Sequence, residues 1–134
     1  MGSNAGRGPE TGGKPGEESA FIVRDPLQRS VFLAKSTYQQ HILVGHPEVK
    51  VPAIRNTVRD ADCIFHSSQS NDCNVYVKSG VDRAHPSMSL KVVVRVPDPA
   101  SGEVISAWVV RRLSTSDTSG GMLYDRQRDR KPKR

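Results

Sequence analysis

Two apolar stretches late in the chain, L-K-V-V-V-R-V (90–96) and V-I-S-A-W-V-V-R-R (104–112), constrain the fold more than any other feature. They are separated by the turn-rich P-D-P-A-S-G, as a hairpin requires. Side chains alternate across a sheet, so a one-residue slip in pairing sends every residue of a strand to the wrong face. Setting Arg95 opposite Val104 brings Val94 to Ile105, Val92 to Ala107 and Leu90 to Val109. That register makes one dry face and gathers Lys91, Arg95, Ser106 and Trp108 on the other. The competing register places Ser106 and Trp108 among the valines, where a hydroxyl without a partner costs free energy. The first register is the expectation.

Asp62–His66 and Asn74–Lys78 also read as strands, joined by the polar loop S-S-Q-S-N-D. With the hairpin they form a meander of four. Earlier in the chain, Ala20–Arg24 and Ser30–Leu33 flank D-P-L-Q-R and read as a small hairpin. Two helical stretches lie between. Ser36 or Thr37 caps the first, with Tyr38, His41 and Ile42 on one side and Gly45 at its end. His46 precedes Pro47 and is pushed out of the helical region. The second helix runs from Val51 or Pro52 to about Arg59, with an apolar stripe of Val51, Ile54 and Val58. The expected class is α+β: two short helices packed on one face of an antiparallel sheet of about four main strands, preceded by a short hairpin.

Composition sets the limits of this domain. Residues 1–19 hold six glycines and two prolines, and residues 114–134 run from S-T-S-D-T-S-G-G into R-Q-R-D-R-K-P-K-R. Neither offers enough apolar surface to offset its ordering entropy, so both are expected to be disordered tails around a folded domain over 20–113. The net charge of +6 divides as −1 over 1–19, +4 over 20–113 and +3 over 114–134. A basic domain with a basic tail suits a polyanionic partner. No apolar run reaches the ~18 residues of a membrane span, and no secretory core opens the chain, so no membrane partner is expected. Cys63 and Cys73 are too few for a disulfide framework and read as free thiols, or as one bridge between neighbouring strands. With His66 they have neither the number nor the spacing of a zinc site; no metal and no cofactor are expected.

The stretch T-Y-Q-Q-H-I-L-V-G-H-P-E (37–48) sets His41 and His46 around the end of the first helix. Imidazole is the side chain whose ordinary titration lies near neutrality, so the pair invites an acid/base reading, and the basic surroundings favour a phosphate-bearing substrate. The alternative is one surface histidine and one packing histidine.

Five segments, in this order and spacing, resemble the phage and polymorphic-toxin branch of the Barnase–EndoU–colicin–RelE nuclease superfamily. They are H-I-L-V-G-H-P-E (41–48), I-R-N-T-V-R-D-A-D-C-I (54–64), V-Y-V-K (75–78), L-K-V-V-V-R-V (90–96) and G-E-V-I-S-A-W (102–108). The likeness spans most of residues 30–112. It departs where Ala61-Asp62 replaces a Pro-Asp and where Ser106 replaces a threonine. The resemblance implies a metal-independent endoribonuclease of toxin type, with RNA on the sheet face away from the helices.

In such cleavage the ribose 2′-hydroxyl attacks its own phosphate, which requires a base, an acid and a cation for the growing charge. His41 is the leading acid/base candidate and His46 the second. Arg95 or Lys78 would hold charge, and Ser106 would position the phosphate. Lys91, Tyr76 and Trp108 are the candidates for RNA binding, the aromatics by stacking. The expected partners are RNA and an acidic inhibitor, an antitoxin or immunity protein. The expected site of action is the cytoplasm, reached alone or as part of a larger secreted or phage protein. A non-catalytic nucleic-acid-binding module, or a phage or mobile-element structural domain, is the alternative on the same fold.

Overall fold

The computed structural model describes residues 18–81 and 86–129. Strands β1 (Ser19–Arg24) and β2 (Ser30–Ala34) form the first hairpin. A short helix, α1 (Lys35–Thr37), runs directly into a π-helical turn (Tyr38–Ile42), and α2 (Val51–Arg59) follows. Then come β3 (Cys63–His66), β4 (Cys73–Ser79), β5 (Ser89–Asp98) and β6 (Ser101–Val110). The chain continues through α3 (Thr115–Thr118), β7 (Met122–Asp125) and α4 (Arg126–Asp129).

All seven strands belong to one sheet, in the order β1-β2-β6-β5-β4-β3-β7. Its neighbours are antiparallel except β2 and β6, which run parallel through Ser30–Ser101, Val31–Gly102 and Phe32–Glu103. This corrects the expected class: the described residues form a seven-stranded mixed sheet with four short helices, not four antiparallel strands with two helices on one face. The meander β3–β6 is present. The first hairpin is not separate from it, and the physical reason lies in Val31 and Leu33. Both are fully buried, and an isolated two-stranded hairpin cannot bury them. Docking β2 beside β6 carries them into the common core. At the crossing Gly102 is required, because a Cβ there would lie 2.8 Å from Val94 Cγ1.

The second correction concerns residues 114–134, expected as a disordered tail. Through Asp129 they are built into the fold. β7 pairs with the outer edge of β3, setting Tyr124 opposite Ile64, and Tyr124 is buried. The Arg126 guanidinium bonds Asp60 and lies 3.7 Å from Asp62, clamping the segment to the end of α2. A polar segment orders here because backbone hydrogen bonds to an open edge and an ion-pair cluster supply what its few apolar residues do not. At the other end, Glu18 pairs with Lys35 and Ser19 opens β1; the rest of the expected tail over 1–19 lies outside the described residues.

The hairpin register holds for half its length. Leu90 faces Val109, Lys91 faces Trp108 and Val92 faces Ala107, and then a bulge intervenes. Val94 meets Val104 instead of Ile105, and Arg95 meets Glu103 instead of Val104. An extra residue at Ile105 lets Val104 turn into the core while Ile105 and Ser106 stay on the other side.

One face of the sheet is covered by α2, whose Ile54 and Val58 are fully buried against Ile64, Tyr76 and Val92. Truncating Ile54 to alanine would cost about 2–5 kcal/mol on the usual scale. Within this layer sits a buried polar link. The Tyr76 hydroxyl donates to the Asp25 carboxylate, which also accepts from the Leu27 and Arg29 amides at 2.9 and 2.8 Å. The Arg29 guanidinium completes the set at 3.4 Å from both Asp25 and the Tyr76 oxygen. The β1–β2 turn is thereby tied to the middle of the sheet. Burial first, then the Asp25 carboxylate, push the Tyr76 phenol far above its ordinary value, so it acts as a donor throughout the accessible pH range.

Replacing Tyr76 by Phe keeps the ring and removes the donor. The expected loss is about 1–3 kcal/mol, seen as a lower urea midpoint at unchanged slope. A midpoint equal to wild type would show that the turn and the sheet do not depend on this bond.

Candidate functional site

The segment carrying the two histidines is shaped by its π-helical turn. Leu43 N–H reaches back to the Tyr38 carbonyl at 2.7 Å, a five-residue step that widens the helix. The widening swings His41 off the face that holds Ile42. Ile42 is fully buried, whereas His41 is exposed. His41 was expected beside Tyr38 and Ile42 on an α-helical period, and the altered period is why it is not. Among the described residues no hydrogen bond or ion pair joins it to Ser106, Lys91 or Arg95.

His46 is placed differently. Its amide bonds the Ile42 carbonyl at 2.7 Å, ending the helix, and Val49 beyond it plugs into the core. The Tyr38 hydroxyl fixes this return by donating to the Val49 carbonyl at 2.7 Å. The loop is thus pinned on both sides and presents His46 against Trp108, ring centroids 6.0 Å apart and planes 22° from parallel. Nδ1 of His46 lies 3.7 Å from a Glu48 carboxylate oxygen. The histidine that meets Trp108 is therefore the second of the motif, with the glutamate two residues on beside it.

Across the same face, Lys91 Nζ stands 4.4 Å from the centre of a Trp108 ring, a cation–π contact. The same ammonium is paired with Asp117 of α3. That carboxylate is divided in its duties: one oxygen takes Lys91, and the other accepts from the Ser114 amide and hydroxyl at 2.9 and 3.0 Å. Ser114 and Asp117 thereby form a capping box that starts α3. Burial raises the Asp117 carboxyl, but the Lys91 and Ser114 bonds outweigh it and hold the group below the usual carboxylate range.

Between α3, the β3–β4 loop and the sheet lies a pocket of about 350 Å³. Its floor includes Val75, Val93 and Ile105; Trp108, Lys91 and Asp117 also line it. Polar rims come from Ser67, Ser70 and Ser116. An apolar floor with a few converging polar groups is the general form of a site for a flat organic group. Cys73 also lines it, and burial pushes its thiol up, which disfavours the thiolate. Cys63 and Cys73 are both free. Cys63 pairs with Val77, four residues along β4 from Cys73, about 13 Å by strand rise and beyond disulfide reach.

The other expected site residues are scattered. Ser106 sits at the bulge opposite Val93, on the same face as Trp108, and is part-exposed. Arg95 is also on this face but bonds Glu103 at 2.6 Å. Lys78 belongs to the opposite face, where its ammonium donates to the Asp60 carbonyl at 3.0 Å; it cannot share a pocket with Ser106. Tyr76, expected to stack RNA, is a fully buried core residue on the helix-covered face. The structure thus joins His46, Trp108 and Lys91 and leaves His41, Arg95, Lys78 and Tyr76 outside that group. Asp117 was missed because its segment reads as a polar tail, although Ser114-x-x-Asp117 has capping-box spacing.

Among the described residues no group of three His, Cys, Asp or Glu side chains has the arrangement of a metal site, and no helix is long and apolar enough to cross a membrane. No family model, curated protein or solved structure matches the chain.

A carboxyl held below its ordinary value stabilises the fold above that value and loses its contribution as pH falls through the lowered one. Wild type is therefore expected to exceed Asp117→Asn in stability by a constant margin from pH 7 to about 5, shrinking below about pH 3.9. Urea titrations at stepped pH read this directly; a margin independent of pH would mean the Asp117 charge contributes nothing.

Proposed function

We propose that the open face of the sheet binds single-stranded RNA and that the protein is a metal-independent endoribonuclease of toxin type, with His46 as its proton-transfer group. The observation that carries this reading is the row His46–Trp108–Lys91, an imidazole, an aromatic platform and an ammonium side by side, the last two lining a pocket. The resemblance of the H-P-E segment and the sheet motifs to the nuclease superfamily supports the same reading. A base stacks on Trp108 or enters the pocket. Glu48 faces Nδ1 of His46 and leaves Nε2 to exchange a proton with the ribose hydroxyl or the leaving oxygen. Lys91 neutralises phosphate charge once Asp117 yields it, and Ser106 offers a hydroxyl donor on the same face.

An enzyme of this kind needs restraint, and an acidic inhibitor covering the open face fits the surplus of positive charge over the whole chain. Action in a cytoplasm fits a substrate of this class. One observation favours a second reading, RNA binding without cleavage: Lys91 and Arg95 are both already paired with carboxylates.

Purified protein incubated with total RNA and a chelator separates these. Wild type is expected to release fragments ending in 2′,3′-cyclic phosphate. His46→Ala should slow cleavage by about 10²-fold or more, and His41→Ala should stay within a few-fold of wild type. Trp108→Ala should cost about 1–3 kcal/mol in RNA affinity. RNA retained but uncut supports the binding module; no retention at low salt defeats both readings.

A further inference from the structure

A second cavity lies on the other side of the sheet. It is a cleft of about 680 Å³ between the β1–β2 turn, the end of α2 and the β7–α4 junction. Three guanidinium-bearing residues, Arg24, Arg59 and Arg128, line it above an apolar floor that includes Pro26, Leu27 and Leu123. Its volume falls within the ~300–1,000 Å³ usual for small-molecule sites. The register places it away from the face of Trp108: Tyr124, which also lines the cleft, pairs with Ile64 and so shares the face of Tyr76.

The charges of this cleft are unequal once internal pairing is considered. Asp25 lines it but is taken up by Tyr76, Arg29 and two backbone amides. Asp129 is held by Arg128 through two bonds of 2.8 and 2.7 Å. Arg24 is steadied by one bond of 2.9 Å to the Gln28 carbonyl, and Gln28 adopts φ 72°, a costly conformation for a residue with a Cβ. The Arg59 side chain makes no hydrogen bond or ion pair among the described residues. The Tyr124 hydroxyl is buried and has no hydrogen-bond partner there either. Two arginines with positive charge to spare thus face one concave, part-apolar space, a setting that an anion with a hydrophobic body satisfies.

We propose that this cleft binds a nucleotide, its phosphates held by Arg24 and Arg59 with Arg128 at the rim and its ring resting on Leu27 and Leu123. Guanidinium matches phosphate oxygens through paired bonds, which a lysine cannot do. The same phosphate chemistry occurs in a free nucleoside diphosphate and in an RNA strand. The compact cleft with its apolar floor favours the free nucleotide, since an RNA backbone needs a groove that tracks several phosphates. This site is independent of the nuclease reading and shares no residue with it.

Titration calorimetry on the full chain tests this with adenosine diphosphate, sodium pyrophosphate and a single-stranded oligoribonucleotide at one fixed salt concentration. The expected result is one saturable site for adenosine diphosphate, with pyrophosphate weaker. Arg59→Ala should lower the diphosphate affinity at least tenfold, and Trp108→Ala should leave it unchanged. Arg59 is exposed at the end of α2, so the variant is expected to fold, and its urea midpoint verifies that; Arg24→Ala serves as an independent second variant. Binding of pyrophosphate as tight as the diphosphate would overturn the nucleotide in favour of a bare anion site. Arg59-dependent binding of the oligonucleotide alone would overturn it in favour of RNA. No saturable binding, or binding indifferent to both arginine variants, would remove the site altogether.

Discussion

A strand can send alternate side chains to only one layer at a time, and this fold is arranged around a single layer that accepts them. From β2 through β6, β5, β4 and β3 to β7, the fully or nearly buried residues Leu33, Val104, Val92, Tyr76, Ile64 and Tyr124 share the side that α2 covers. Chain segments far apart in sequence are recruited because they can add a strand with its apolar side in phase. The bulge at Ile105 keeps the phase where strict pairing would lose it, turning Val104 inward and leaving Ser106 and Trp108 outward. Without that extra residue, half of β6 would present its polar side to the core.

The open face follows from the same constraint by exclusion. Residues that cannot enter the core meet there: Lys91, Arg95, Glu103, Trp108 and the bulge residues. Its charges largely answer one another, Lys91 with Asp117 and Arg95 with Glu103. Positive potential is therefore not spread evenly over the sheet, and a phosphate bound there would have to compete with a carboxylate for Lys91. The ion pair links α3 to the sheet. Asp117 fastens the segment that carries the chain towards β7, and it also holds the Lys91 ammonium. Gly120 permits this close passage, since a Cβ there would fall 2.0 Å from the His66 carbonyl oxygen.

Much of the local structure was legible from composition and period. The α2 helix, the four-strand meander and the dry set Leu90, Val92, Val94 each follow from spacing alone, because their side chains meet neighbours close in sequence or directly across a hairpin. The candidate site was legible only in part. Trp108 and Lys91 were placed together by the register, and His46 was placed outside the helix by Pro47. His41 lies apart from Trp108 and Lys91 because a π-helical turn does not follow the α-helical period. Tyr76 and Lys78 lie on the other face, and nothing in V-Y-V-K says which face of a central strand the helices cover.

What the sequence determined by itself is the set of elements whose energetics are local: the alternation of strands, the proline-bounded helix, the turn at Asp25 and the register of β5 and β6 on one side of the bulge. What only the tertiary structure decided is how distant pieces share one core. The parallel docking of β2 on β6, the recruitment of residues 114–129 to the β3 edge and the seating of His46, rather than His41, against Trp108 all depend on contacts between residues far apart in the chain. Such contacts carry no periodic signal, because their free energy comes from shape, hydrogen-bond partners and charges that meet only after the sheet has formed.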